Sequence, residues 1–428
     1  MTAPTGDRAI RGRAAMAFIF VTVLLDAMAL GMVVPVLPRL IADLVHGSHL
    51  SPRLMHHLPR NTVALAAMLV GLFNTVFALM QFFFSPVIGS LSDRFGRRPL
   101  ILVSNLGLGL NYLLMSWAPS LQWLFLGRLL SGITGASFGT ASAYIADAVE
   151  PEKRAHAFGL LGAALGLGFI VGPAIGGPLG EVHLRAPFAV AAVFSLANAL
   201  YGFLVLPESL PPEHRAGFSW KRANPVGALV LLKRHPDLTG LAGVAFLNNL
   251  AQVALPTTVV LYAAHRFGWG TGEIGLTLGA AGVLLAVVQV LLLNAVVKRV
   301  GERTTALVGL LFGAVGFLCV GLAPTGLAVW ASLPVLALWG LSGPPVQTLM
   351  TRHVSASEQG QLQGANASLT GISELAGPLL FGAVFAWFVS PGQPIWAAGA
   401  PFFLSAVLLV GGSALEWVST RNPIDMGH

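Results

Sequence analysis

Charge is what this chain has least of. Asp, Glu, Lys and Arg make up 10% of its 428 residues, against roughly a quarter in soluble domains, which excludes a water-soluble fold with a fully solvated surface. A single cysteine, Cys319, excludes an intramolecular disulfide and leaves the redox compartment undetermined. The Gly-rich stretch 159–180 has no strand pattern before it and no Lys-Ser or Lys-Thr pair, so it is not a phosphate-binding loop. The chain also has no room for a soluble nucleotide domain, and any energy source must be an ion gradient or a solute gradient. None of the 11 histidines falls inside an expected apolar core, which argues against an imidazole relay at mid-membrane depth.

What the chain has in abundance is apolar length. Hydrophobic residues are 55% of it and the mean hydropathy is +0.77, so a bilayer is its expected solvent. Runs long enough to cross at ~20 residues each are read at 15–44, 62–90, 99–117, 121–146, 155–178, 187–206, 238–264, 272–297, 305–323, 327–351, 362–389 and 395–418. The fold class expected is therefore an all-α polytopic membrane protein with twelve transmembrane helices. The first run follows basic residues, as a secretory signal would. It is too long, carries Asp26 in its middle and has no small-residue cleavage site before Pro35, so it reads as a retained first span. Placing both termini in the cytoplasm puts 18 of the 24 Lys+Arg inside and 5 outside, with Arg128 within a span. That bias sets the orientation and accounts for the net charge of +7 without a nucleic-acid partner.

Between the second and third runs lies Gly89-Ser-Leu-Ser-Asp-Arg-Phe-Gly-Arg-Arg98. Gly89 and Gly96 permit a tight turn, and Asp93, Arg94, Arg97 and Arg98 supply opposite charges able to latch onto helix ends. A loop that only sets topology would explain the arginines but neither Asp93 nor the glycine spacing. Sliding the chain on itself by 205 residues brings Leu91–Arg98 onto Val296–Arg303, and Gly159, Gly166 and Gly172-Pro173 onto Gly364, Gly371 and Gly377-Pro378. One shift that aligns both patterns indicates two homologous halves: residues 1–206, a polar cytoplasmic linker at 207–237, and residues 238–428. Lys298 stands where the shift would place a second Asp93, so the latch is expected to be asymmetric.

The charged turn resembles the loop 2–3 signature of the major facilitator superfamily of secondary transporters. Arg128-Leu-Leu-Ser-Gly-Ile-Thr-Gly135 resembles its fourth-helix signature, and Gly168-Phe-Ile-Val-Gly-Pro-Ala-Ile-Gly-Gly177 resembles the fifth-helix signature of its drug/proton antiporters. Leu24-Leu-Asp-Ala-Met28, Gly127–Ala136, Phe158–Ala163, Arg266-Phe-Gly-Trp269 and Gln359–Gly364 extend the likeness along nearly the whole chain to the tetracycline/proton antiporter branch. The resemblance implies two six-helix bundles, with sites at mid-membrane depth where the halves face each other. It also implies export of an amphipathic small molecule in exchange for protons. It departs at three positions where that branch carries an acid, a histidine and an acid: this sequence has Asn111, Leu285 and Gly313.

Ionisable groups inside apolar runs are costly and mark function. Asp26 and Glu374 each lie about twelve residues, or ~18 Å of helix, from the end of their span, and with Arg128 they are the proton-coupling candidates. The competing reading is a permanent ion bridge, or for Arg128 a helix-packing role. Gln81, Asn111, Asn248, Gln252 and Gln289 are candidates for lining a substrate cavity, although amides also hydrogen-bond between helices. Gln81 is the strongest, since Leu79-Met-Gln-Phe-Phe-Phe-Ser-Pro86 also matches the antiporter pattern. Gating is assigned to Gly89, Asp93, Arg94, Gly96, Arg97, Arg98, Gly172 and Pro173, with Asp147 as an acidic partner. His46, His49, His56 and His57 in the first outer loop read as a solvated loop, with metal sensing as the alternative.

The expectation is a proton-coupled efflux antiporter, not an enzyme, in a bacterial inner membrane. Its partners are a small-molecule substrate, protons and the lipid bilayer; no cofactor, metal or nucleic acid is expected, and a monomer is. The alternatives are a tetracycline exporter proper, a uniporter or metabolite exporter, and a transporter-like receptor or sensor.

Overall fold

The computed structural model describes residues 5–47, 61–135, 137–217, 229, 231–232, 235–355 and 358–420. His49, His56 and His57 of the outer loop, and part of the linker, lie outside the described residues. Helices make up the fold in this order: α1 (Thr5–Val33), α2 (Leu37–Gly47), α3 (Thr62–Phe95), α4 (Arg97–Trp117), α5 (Leu121–Thr134), α6 (Ser137–Ala148), α7 (Pro151–Val182) and α8 (Ala186–Val205). They continue as α9 (Pro236–Phe267), α10 (Thr271–Val287), α11 (Leu293–Leu322), α12 (Gly326–Ala337), α13 (Gly343–Thr351), α14 (Gln359–Phe388) and α15 (Ala400–Ser419). No strand occurs among the described residues.

Ten helical stretches are long and apolar enough to cross a membrane. One, Thr271–Leu322, has 52 residues, far more than the ~20 a crossing needs. Gly301 divides it, with φ 78 and ψ 167, a non-helical conformation inside α11. With that division, and with α5 and α6 taken together as one span, twelve crossings result.

Several expected spans are broken inside. The run 15–44 turns at residues 34–36 between α1 and α2, because Pro35 offers no N–H and clashes with a continuing helix. The run 121–146 breaks after Thr134, where Gly135 ends α5 and its N–H bonds Ser131 O at 2.8 Å. A π-helical turn at Val288–Leu292 follows α10, and a 3-10 turn at Leu338–Leu341 separates α12 from α13. Helix ends carry expected devices: Thr325 caps α12 by accepting from Ala328 N at 3.3 Å, and Gly268 (φ 70) closes α9 in the left-handed region.

The chain forms two compact units. One comprises Met1–Leu44, Val76–Asn224 and Gly270–Gly279, and the other Val45–Thr75, Pro225–Trp269 and Ala280–His428. In the first unit α1 packs on α7 and α8, and α4 on α8; in the second α9 packs on α14 and α15, and α11 on α15. The same pattern of helix neighbours occurs in both units, whose bounds differ from a split at residues 206 and 238.

Lipid is as apolar as leucine, so what holds such helices together is close van der Waals approach and interhelical hydrogen bonds. Gly168, Gly172 and Gly176 recur every fourth residue and form a stripe that lays α7 on α1. A Cβ at Gly172 would stand 2.6 Å from Met28 O and 2.9 Å from Gly31 Cα, too close for any side chain. The fifth-helix signature thus seats α1, the helix that carries Asp26. Beside this seam Phe18, Ile19, Ile101, Tyr144 and Ile145 form an apolar core of the same unit.

Candidate functional site

Asp26 is half-buried on α1, in the first unit. Asn198 of α8, fully buried, donates through Nδ2 to Asp26 Oδ1 at 3.3 Å and to Thr22 O at 3.3 Å. Its Oδ1 accepts from Thr22 Oγ1 at 3.0 Å. Tyr112 on α4 is buried within electrostatic reach of both Asp26 and Arg128. Arg128 on α5 is also buried and has its guanidinium carbon 4.4 Å from the Phe77 ring centroid, a cation–π contact worth about 2 kcal/mol when desolvated. The structure therefore gathers Asp26 and Arg128 around Tyr112 in one unit. Tyr112, Asn198 and Thr22 were missed by sequence reasoning, since an amide, a phenol and a hydroxyl in apolar runs carry no spacing signal.

Glu374 lies in the second unit, exposed on α14. Its flanking residues are engaged: Ser373 Oγ donates to Phe246 O at 3.4 Å and Leu375 O accepts from Thr75 Oγ1 at 3.2 Å.

The five amide candidates divide. Asn111 is buried, with its Nδ2 on Ser131 Oγ, and joins α4 to α5. Gln81 Nε2 donates to Gly135 O at 3.4 Å, at the break after α5. Asn248 Oδ1 accepts from Trp339 Nε1 at 2.7 Å and from Ser342 Oγ at 3.3 Å. These three act as interhelical ties. Gln252 and Gln289 are exposed, and Gln289 stands in the π-helical turn. Asn249, next to Asn248, donates to Thr370 Oγ1 at 2.9 Å. Gly313 leaves no space for an acid: a Cβ there would lie 2.6 Å from Trp339 Cδ1 and 2.9 Å from Leu409 Cδ1.

The charged turn is a clamp built on Arg97. Its NH1 bonds Asp93 Oδ1 at 2.6 Å and Ser92 Oγ at 2.9 Å, while Nε bonds Asp147 Oδ2 at 2.8 Å at the end of α6. Gly96 before it takes φ 106, a left-handed value that favours glycine. The Arg97 N–H donates to Glu208 Oε1 at 2.8 Å, and that carboxylate also accepts from Ser209 N and Leu210 N. Glu208 is thus a further anchor, hidden in the sequence because it follows α8 far from the motif. Arg98 NH2 donates to Phe203 O at 2.7 Å, and Arg94 lies 5.1 Å from the Phe95 ring. Gly89 faces open space, whereas Pro173 packs against Gly31. Among the described residues there is no group of three His, Cys, Asp or Glu placed to hold a metal ion.

Bundles of apolar helices, with a half-buried carboxylate and a buried arginine inside the spans and a charged clamp at a helix turn, describe a membrane carrier. The model of the Major Facilitator Superfamily matches residues 19–378, and the chain belongs to that superfamily. The class C tetracycline resistance protein of Escherichia coli is 36% identical over 391 residues, 91% of this chain and 94% of that one. The class G tetracycline resistance protein of Vibrio anguillarum is 36% identical over 384 residues, covering 89% and 93%. The crystal structure of the human organic anion transporter MFSD10 (TETRAN) matches the fold with a TM-score of 0.68 at 23% identity, over 97% of this chain and 100% of that one. The protein is an integral membrane transporter similar to tetracycline resistance proteins.

Proposed function

We propose that this transporter is a proton-coupled antiporter exporting small amphipathic compounds by alternating access, with both termini in the cytoplasm of a bacterial inner membrane. The observation that carries this reading is the Asp26 site. A carboxylate held inside a span is expensive, and this one is met by a neutral amide donor at 3.3 Å from Asn198. A carboxylate that takes up and releases a proton at this depth can couple substrate movement to a proton gradient. Asp26 is the coupling carboxylate in this reading, Arg128 sets its electrostatic surroundings through Tyr112, and Glu374 is a second acid that balances a cationic substrate. The names of the relatives support drug efflux as the task.

The test is efflux driven by an imposed pH gradient in everted vesicles. Asp26→Asn keeps the side chain's shape and removes its titration. It is expected to cut pH-driven transport at least about tenfold, a loss equivalent to about 1.4 kcal/mol, while insertion and expression persist. Unchanged pH-driven efflux in this variant would remove Asp26 from the coupling role. Counterflow in proteoliposomes separates a transporter from a receptor, since a receptor binds without exchanging ligand across the membrane.

A further inference from the structure

The turn at Gly301 repeats the turn at Gly96 with three charged positions reversed in sign. The 205-residue shift that relates the halves carries Asp93, Arg97 and Asp147 onto Lys298, Glu302 and Arg352, so an acid–base–acid set becomes base–acid–base. The scaffold around the two sets is the same. Gly301 takes φ 78 where Gly96 takes φ 106, so each turn closes through a left-handed glycine. The next arginine in each copy lies over the last helix of its half. Arg98 NH2 donates to Phe203 O at 2.7 Å with its guanidinium 6.0 Å from that ring. Arg303 NH2 donates to Trp417 O at 3.2 Å with its guanidinium 4.9 Å from that ring. Between these fixed points the central pair is retained with inverted sign: Arg97 Nε meets Asp147 at 2.8 Å, and Arg352 NH2 meets Glu302 Oε2 at 2.5 Å.

Lys298 stands four residues before Glu302, the spacing at which Asp93 bridges Arg97, and i,i+4 opposite charges attract on a helical turn. Reversing any one of the three positions alone would set like charges against each other. The three signs differ together from the first copy, so the constraint on this corner is attraction within the set and not positive charge for orientation. Glu302, an acid in a turn whose other charged residues are basic, opposes the orientation bias and is explained only by the clamp.

We infer that Lys298, Glu302 and Arg352 form a second, polarity-inverted clamp that ties the turn at Gly301 to the end of α13, as Asp93, Arg97 and Asp147 tie the turn at Gly96 to the end of α6. In this reading lysine at 298 takes the place of Asp93 with inverted sign. All three are positioning residues. They keep the corner of the second half rigid while a rocking-type transporter changes state, and to that extent the inference rests on the transport reading.

The experiment uses the full-length chain in membranes. Glu302→Arg sets a cation against Arg352, with Lys298 four residues away, and is expected to lower transport about tenfold, since the bridge becomes a repulsion. The triple variant Lys298→Asp, Glu302→Arg, Arg352→Asp rebuilds the first copy's polarity and is expected to recover transport to within about threefold of the parent. A readout that needs no substrate accompanies it: the alkylation rate of Gly360→Cys, at the start of α14, in a Cys319→Ser background. That rate should change severalfold in Glu302→Arg and return in the triple variant. Should Glu302→Arg fail to fold, Glu302→Gln, which removes only the charge, takes its place with a smaller loss. Normal transport and labelling in the single variant, or a stably folded triple variant as inactive as the single one, would overturn the clamp. Labelling that follows the charge pattern, in a protein that moves no compound against a pH gradient, would keep the clamp and remove the antiport reading.

Discussion

Replacing Arg97 by lysine keeps the charge and removes the geometry, which makes it the sharpest test of the first clamp. Arg97 reaches its two acids from different edges of the guanidinium, NH1 to Asp93 at 2.6 Å and Nε to Asp147 at 2.8 Å. A lysine ammonium is a point charge on a flexible stem and does not reproduce a rigid fork, so R97K should retain one acid and release the other. Side-chain exposures of 10% for Arg97, 33% for Asp93 and 25% for Asp147 place the cluster between surface and interior. An exposed pair contributes about 0–1 kcal/mol, and breaking a buried one costs about 3–5 kcal/mol. The discounted value for losing one of the two bridges is about 1–2 kcal/mol, and for Arg97→Gln, which leaves two carboxylates facing each other, about 2–3 kcal/mol. At 1.4 kcal/mol per tenfold, R97K should shift the conformational equilibrium about 5- to 30-fold. A double-mutant cycle of R97K with Asp147→Asn, read in vesicle transport and in thermal unfolding, should show coupling of about 1 kcal/mol. If R97K transports and unfolds like the parent, charge alone suffices and the bidentate argument is refuted.

Glu374→Gln should alter the substrate range or the pH optimum of efflux more than it alters expression, as measured by resistance profiles at several pH values; labelling that places residue 374 against lipid would exclude it from the site. Tetracycline should be a poor substrate, because Asn111, Leu285 and Gly313 leave Asp26 and Glu374 as the acids available to balance a cationic complex, and strong tetracycline resistance lost in an Asp26→Asn control would contradict this. Outside the spans, hydrogen bonds from Ser355, then the His235 contact at 3.2 Å, pull the Glu358 carboxyl down to about 2. A depressed carboxyl contributes stability above its unfolded value and loses it only as pH falls through about 2. This tie should therefore persist through mildly acid pH, and Ser355→Ala should move its loss upward, detectable by spectroscopy of a labelled Glu358.

Apolar run length and composition alone set the number of spans, because a bilayer leaves the backbone no choice but to close its own hydrogen bonds within each crossing. The turn at Gly89–Arg98 and the isolated acids Asp26 and Glu374 were likewise legible, since charge in an apolar run needs no structure to be noticed. The breaks at Pro35, Gly135 and Val288–Leu292 were not: they depend on which neighbour satisfies the freed backbone, and the hydropathy of the run is unaffected by them. Nor could spacing tell that Asn111 is spent on Ser131, that Asn198 holds Asp26, or that Glu208 anchors Arg97 from beyond α8, because each bond joins residues far apart in the chain whose meeting is decided by how α1, α4, α5 and α8 cross. From sequence, Lys298 in the place of Asp93 indicates only that the two turns differ; that Glu302 meets Arg352 is decided by how the turn at Gly301 meets the end of α13.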